Sequence, residues 1–131
     1  MTKIPPKQHS SRFVELAQNA QSRIKEITPA ELKQMLEEHS GCYVIDVREE
    51  SELPVGVIPE AIHLSKGVIE RDIEKHIADH NAKIIVYCSG GYRSALVADN
   101  LQKMGFTNVY SLTGGLRAWL DAGNVLAKWT Y

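Results

Sequence analysis

Ile84-Ile85-Val86-Tyr87 runs directly into Cys88-Ser89-Gly90-Gly91-Tyr92-Arg93-Ser94, so four apolar residues give way to a polar loop with two glycines. A short, mostly β-branched apolar run is the pattern of a strand covered on both faces. From Arg93 the spacing changes to that of a helix, with Leu96, Val97, Leu101 and Met104 turned inward and Gly105 in the left-handed position after its end. Strand, tight loop and helix form the repeating unit of open parallel α/β sheets.

The alternation extends in both directions. Residues 43–47, Tyr-Val-Ile-Asp-Val, read as another buried strand, and a loop over 49–60 rich in Pro and Gly leads to a small strand at 61–64. Ile69, Ile73 and Ile77 then form one stripe of a helix whose other faces carry Glu70, Arg71, Asp72, Glu74 and Lys75. Upstream, Thr28, Pro29 and Glu31 are the N-cap, first-turn proline and capping-box acid of a helix reaching about His39, which Gly41 ends. Before it, Phe13, Leu16, Ala17, Ala20 and Ile24 make the stripe of an amphipathic helix that braces the domain. Downstream, residues 108–112 form a strand, and Gly114-Gly115 open a short helix through Leu116, Ala118, Trp119 and Leu120 and are expected to permit a close turn beside the Cys88 loop. The expected division is an arm and helix over 1–26, an α/β domain over 27–122 and a tail over 123–131.

At 131 residues the chain has room for about one domain, and folding at this size hides about two-thirds of the chain's surface. Fifteen Lys and Arg against sixteen Asp and Glu leave a formal charge of −1 with interspersed signs, so no general field draws it to nucleic acid or anionic lipid. Two cysteines are too few for a disulfide scaffold, and there is neither a signal-peptide pattern nor a membrane-length apolar run. These features lead us to expect a cytoplasmic protein without nucleic-acid or membrane partners.

Ligands of open α/β sheets bind beyond the carboxyl ends of strands, where Cys88 stands. Gly90 and Gly91 allow successive N–H groups to line a tight curve, and the following helix start and Arg93 favour negative charge inside it. Thiolate is the nucleophilic form of cysteine, and such surroundings stabilise it, so no histidine base is needed.

The loop CSGGYRS after IIVY resembles the active-site loop of the rhodanese family of sulfurtransferases. The resemblance extends over about residues 27–122 and includes VIDVREESE, GVIPEAIHLSKGVIE and GFTNVYSLTGGLRAW. It implies a rhodanese-like open parallel sheet of about five strands, flanked by helices on both faces, with the N-terminal helix as an addition. It also implies a sulfane sulfur moved from thiosulfate or a persulfide to cyanide, a thiol or a protein, through a Cys88 persulfide. The N–H groups of Ser89, Gly90, Gly91, Tyr92 and Arg93 would cradle that persulfide, with Arg93 holding the anionic donor and Asp46 and Arg48 bracing the loop. The partners are a small anionic donor and a thiophilic acceptor, or a sulfur-accepting protein, with no metal or organic cofactor. The alternative is a module that relays sulfur without turnover or only docks a protein. Four residues between cysteine and arginine match the sulfur-transferring loop, whereas related phosphatase-like members have five. Two departures stand out: Ser89 occupies a position where many active relatives carry arginine, making the mouth less cationic, and Val57 and Glu60 alter the usual GHIPGA stretch.

The remaining candidates have plainer readings. Arg48 can pin the long loop by pairing with Glu49, Glu52 or another nearby acid. Ser65 and Lys66 follow a strand end and could reach a substrate anion, although a solvated lysine is the simpler account. Cys42, at a strand start, is expected to be structural and far from Cys88. His76 and His80, one turn apart on a helix, could bind metal, although solvent exposure is the expected reading. Trp119 is expected in the core and Trp129 as a docking residue.

Overall fold

A computed structural model describes residues 8–130; residues 1–7 of the expected arm and residue 131 lie outside them. In chain order the elements are α1 (Ser11–Gln21), β1 (Lys25–Ile27), α2 (Pro29–Glu37), β2 (Tyr43–Asp46), a 3₁₀ segment (Glu50–Val55) and β3 (Ile62–His63). There follow α3 (Ile69–His76), β4 (Ile84–Tyr87), α4 (Tyr92–Lys103), β5 (Val109–Leu112) and α5 (Gly115–Asp121). All strand pairs are parallel, in the order β1-β5-β4-β2-β3, so the most apolar strand is central. This is the expected open α/β sheet of five strands with helices on both faces. No helix among the described residues is long and apolar enough to cross a membrane.

The four residues of β4 are fully buried and still alternate between faces, as strand geometry requires. Ile84, Val86 and Cys88 join the core beneath α3 and α4, with Ile69, Ile73, Val97 and Leu101. Ile85 and Tyr87 join the opposite core, with Leu32, Leu116, Trp119 and Leu120 of α2 and α5. Each such aliphatic side chain contributes about 1.5–3 kcal/mol on burial. The alternation thus sends the Cys88 side chain toward the start of α4 and the Tyr87 hydroxyl to the other face.

α2 starts as expected: the Thr28 hydroxyl accepts from the Glu31 N–H, and Glu31 accepts from the Thr28 N–H. Its left-handed residue is His39, φ 51°, with Gly41, φ 79°, following in the turn. Gly105, at φ 97°, ends α4 as expected.

Several expectations need correction. β1 was not expected as a strand, because three residues with only Ile27 buried leave no periodicity to detect; parallel pairing with β5 defines it. Leu16 does not join the buried stripe of α1 and is 58% exposed. Ala17 and Ala20 are the buried positions, and their small side chains let α1 lie close along α4. Leu96 is only partly buried. α3 stops at His76, with Ile77 extended, so His76 and His80 do not share a helix turn. His80 instead stacks on Phe106, with centroids 4.4 Å apart, and its Nε2 lies 3.0 Å from Glu74. The tail, unassigned from sequence, pairs Ala127 with Val57 in an antiparallel bridge, and Trp129 meets the His63 ring edge-on. Trp119 is buried, and its indole N–H donates to the Val125 carbonyl.

Candidate active site

Cys88 follows β4 and is 1% exposed. The Gly91 N–H donates to its Sγ at 3.1 Å and the Ser94 N–H at 3.4 Å, so the first turn of α4 closes over the sulfur. The Cys88 thiol is 3.5 Å from Ser94 Oγ, which also approaches Ser111 Oγ at 2.8 Å and donates to the Gly91 carbonyl at 3.3 Å. Ser94 and Ser111 are fully buried on this side of the sheet and were not singled out from sequence. A serine one position past the loop arginine carries no periodic signal, and only the turn of the helix brings its amide to the sulfur.

The two glycines have different tasks. Gly91 takes φ 104°, which a side chain would make strained, and this left-handed turn aims its N–H at Sγ. Gly90 has no such angle; its missing Cβ leaves space for the Arg117 guanidinium, whose Nη2 would be 3.1 Å from that atom. A third glycine, Gly115 at φ 61°, allows backbone contact between α5 and the loop, as expected for the diglycine. A Cβ there would lie 2.5 Å from the Cys88 carbonyl oxygen. Through this approach the Leu116 N–H donates to the Cys88 carbonyl at 2.8 Å and the Arg117 N–H to the Ser89 carbonyl at 3.0 Å.

Arg93 begins a partly buried rim, and both its terminal nitrogens engage the Glu52 carboxylate, at 2.7 and 2.9 Å. Ser89 Oγ donates to Glu52 at 3.2 Å and accepts from Arg93 at 3.3 Å. Burial pushes the Glu52 carboxyl up, but the Arg93 hydrogen bonds, the Glu49 N–H, the Arg93 charge and the Ser89 hydroxyl together outweigh it and hold the group at about 2. The same hydrogen bonds raise Arg93 above its ordinary value. Sequence reading offered Glu52 as a partner of Arg48. The structure gives its carboxylate to Arg93, while its carbonyl accepts from Arg48 Nη1 at 3.3 Å.

Asp46 and Arg48, both about 1% exposed, form a buried pair with Arg48 Nη2 2.7 Å from Asp46 Oδ2. Arg48 also donates to the Gly56 carbonyl at 2.8 Å. The Tyr87 hydroxyl donates to Asp46 at 2.6 Å and accepts from the Ile58 N–H at 3.0 Å. Burial first, then the Asp46 charge, pushes the Tyr87 phenol well above its ordinary value, keeping it a neutral donor. The network ties the ends of β2 and β4 to the segment that carries Glu52. It therefore reaches the Cys88 loop through Glu52 and Arg93.

Tyr92 faces α1, its ring meeting Phe13 edge-on at 6.1 Å and His9 at 5.6 Å. The N-terminal helix thus begins beside the loop. Ser65 and Lys66 give their backbone to the turn into α3, the Lys66 N–H donating to the Val47 carbonyl. Cys42 is partly buried and precedes β2. The pairing of Tyr43 with Ile84 sets it five strand residues, about 16 Å, from the level of Cys88. Among the described residues no group of three or more His, Cys, Asp or Glu is placed to hold a metal ion.

Residues 28–122 match the family profile described as Rhodanese-like domain. The chain is 38% identical over 96 residues to YtwF of Bacillus subtilis, covering 73% of this chain and 90% of that one. It is 34% identical over 98 residues to thiosulfate sulfurtransferase GlpE of Ectopseudomonas mendocina, covering 75% and 86% respectively. Among solved structures, the polysulfide-sulfur transferase homodimer of Wolinella succinogenes superposes with a TM-score of 0.76 at 26% identity, covering 92% of this chain and 90% of that one.

Proposed function

The chain belongs to the rhodanese-like domain family, and from that membership we propose that it is a sulfurtransferase whose sulfur carrier is Cys88. The observation that carries the reading is the convergence of the Gly91 and Ser94 N–H groups on a buried sulfur at a strand end. Donors fixed around one sulfur stabilise negative charge there without reorganising during reaction. The loop has no histidine to act as base, and an ionised thiol requires none.

In the first half-reaction a lone pair of Cys88 Sγ attacks the sulfane sulfur of the donor. The donor's S–S bond breaks and its electron pair leaves with the departing fragment, sulfite when the donor is thiosulfate. In the second, the acceptor attacks the outer sulfur of the persulfide, and the S–S pair returns to Cys88 Sγ. No net oxidant or reductant enters. Small donors in the manner of GlpE's thiosulfate, or polysulfide as named for the Wolinella protein, suit so buried a sulfur. Arg93 with its Glu52 partner forms the rim, Ser89 links the two, and Asp46 with Arg48 positions the segment that bears Glu52.

The test is thiocyanate formation from thiosulfate and cyanide, repeated with polysulfide as donor. Turnover that Cys88→Ser abolishes supports the reading. Turnover that persists in that variant overturns it, and transfer confined to protein acceptors turns it toward a relay module.

A further inference from the structure

The cations near the Cys88 loop are not equivalent. Arg93 is matched by Glu52 on both terminal nitrogens, and Arg48 by the buried Asp46. Arg117 forms no ion pair among the described residues. Its Nε–H is buried without a hydrogen-bond partner among the described residues.

Its location is fixed by backbone, since its own N–H donates to the Ser89 carbonyl at 3.0 Å. Its guanidinium lies against Gly90, Nη2 and Nη1 standing 3.1 and 3.6 Å from where a Cβ of that residue would be. A permanent cation with a buried, unused donor is costly in the empty protein, and an oxyanion offering two acceptors to the guanidinium fork relieves that cost. Ser89, beside the sulfur, contributes no charge, and the Arg93 charge is already countered. Among the described residues, Arg117 is therefore the uncompensated cation in contact with the loop.

Resting on the reading of Cys88 as sulfur acceptor, we propose that Arg117 binds the oxyanion end of the sulfur donor. The site then selects donors that carry a sulfonate or carboxylate close to the sulfane sulfur. Sulfur moves to Cys88 as above, and the S–S electron pair leaves with the fragment whose oxyanion Arg117 holds. Because the Arg117–Ser89 bond is made by backbone, substitution of the side chain leaves it in place.

The experiment compares wild type, Arg117→Gln and Arg117→Lys in two assays. In the first, sulfate, which has no transferable sulfur, protects Cys88 from iodoacetamide. The half-protecting concentration rises at least five-fold in Arg117→Gln and less in Arg117→Lys, while alkylation without sulfate stays within two-fold. In the second, sulfur loading is followed with thiosulfate, cysteine persulfide and inorganic polysulfide. The KM for the oxyanion donors rises at least five-fold in Arg117→Gln, with maximal loading rate within two-fold, and the KM for polysulfide rises much less. A response to thiosulfate alone identifies the sulfonate as the ligand, and a response to cysteine persulfide alone the carboxylate; both support the proposal. Equal sulfate protection of wild type and Arg117→Gln overturns it, as does an equal KM rise for polysulfide. Arg117-dependent protection in a protein that no donor loads leaves the anion site standing and refutes the sulfurtransferase reading instead.

Discussion

Replacing Glu52 by glutamine keeps the side chain's shape and removes the charge that holds Arg93. The carboxylate accepts from both Arg93 terminal nitrogens, from Ser89 Oγ and from the Glu49 N–H at 2.8 Å, and these bonds hold it at about 2 against an ordinary 4.5. This depression corresponds nominally to about 3 kcal/mol. With 21% of the side chain facing water, screening reduces this to about 1–2 kcal/mol. Since the folded value is depressed, the stabilisation is complete above the unfolded value near 4.5 and is lost as pH falls through about 2. About two-fifths remains at pH 3. Urea unfolding at pH 7 should therefore place the Glu52→Gln midpoint about 1 M below wild type, the gap shrinking by more than half at pH 3. The same change frees Arg93 to meet an anionic donor, a gain of about 1 kcal/mol that lowers the thiosulfate KM about five-fold. Stability lost and donor affinity gained in one variant is the signature expected. Equal midpoints at pH 7, a gap of the same size at pH 3, or an unchanged KM would refute the reasoning.

Three further outcomes follow, two from the packing around the loop and one from a glycine outside it. Arg48→Met leaves Asp46 as an uncompensated buried carboxylate and should cost about 3–5 kcal/mol, a fall in Tm of about 10–15 °C by circular dichroism. Adding Asp46→Asn should recover part of that fall. Gly115→Ala forces a Cβ against the backbone of Cys88 and Ser89 at a positive φ, so it should lose about 2 kcal/mol or more in urea unfolding and reduce the turnover rate. Gly123→Ala, at φ 85° with open space around its Cβ, should show only the backbone strain of about 1 kcal/mol and keep its thiocyanate-forming activity.

What the sequence revealed follows the range of the forces involved. The central strand, the loop and α4 were legible because local periodicity and the Cys88-to-Arg93 spacing record them directly. The capping box at Thr28 and the close turn at Gly115 were legible for the same reason. The three-residue β1 was not, since an edge strand with one buried residue is defined by its partner β5. Leu16 misled because helical spacing locates a stripe without showing that alanines, not leucine, face a closely packed neighbour. Glu52 was one of several nearby acids open to Arg48, whereas the cation its carboxylate meets lies 41 positions away. The Tyr87 hydroxyl disappeared into an apolar run that it uses only with its ring, its oxygen reaching Asp46 across the strands. Arg117 went unnoticed because its relevance depends on Gly90, brought beside it only by the fold.

The intact mass of the protein between half-reactions tests the central claim most directly. Wild type incubated with thiosulfate should gain the mass of one sulfur atom, lose it on addition of cyanide with an equivalent of thiocyanate formed, and Cys88→Ala should gain nothing. A sulfur adduct that persists in Cys88→Ala, or thiocyanate released by wild type without any adduct on Cys88, would contradict the account.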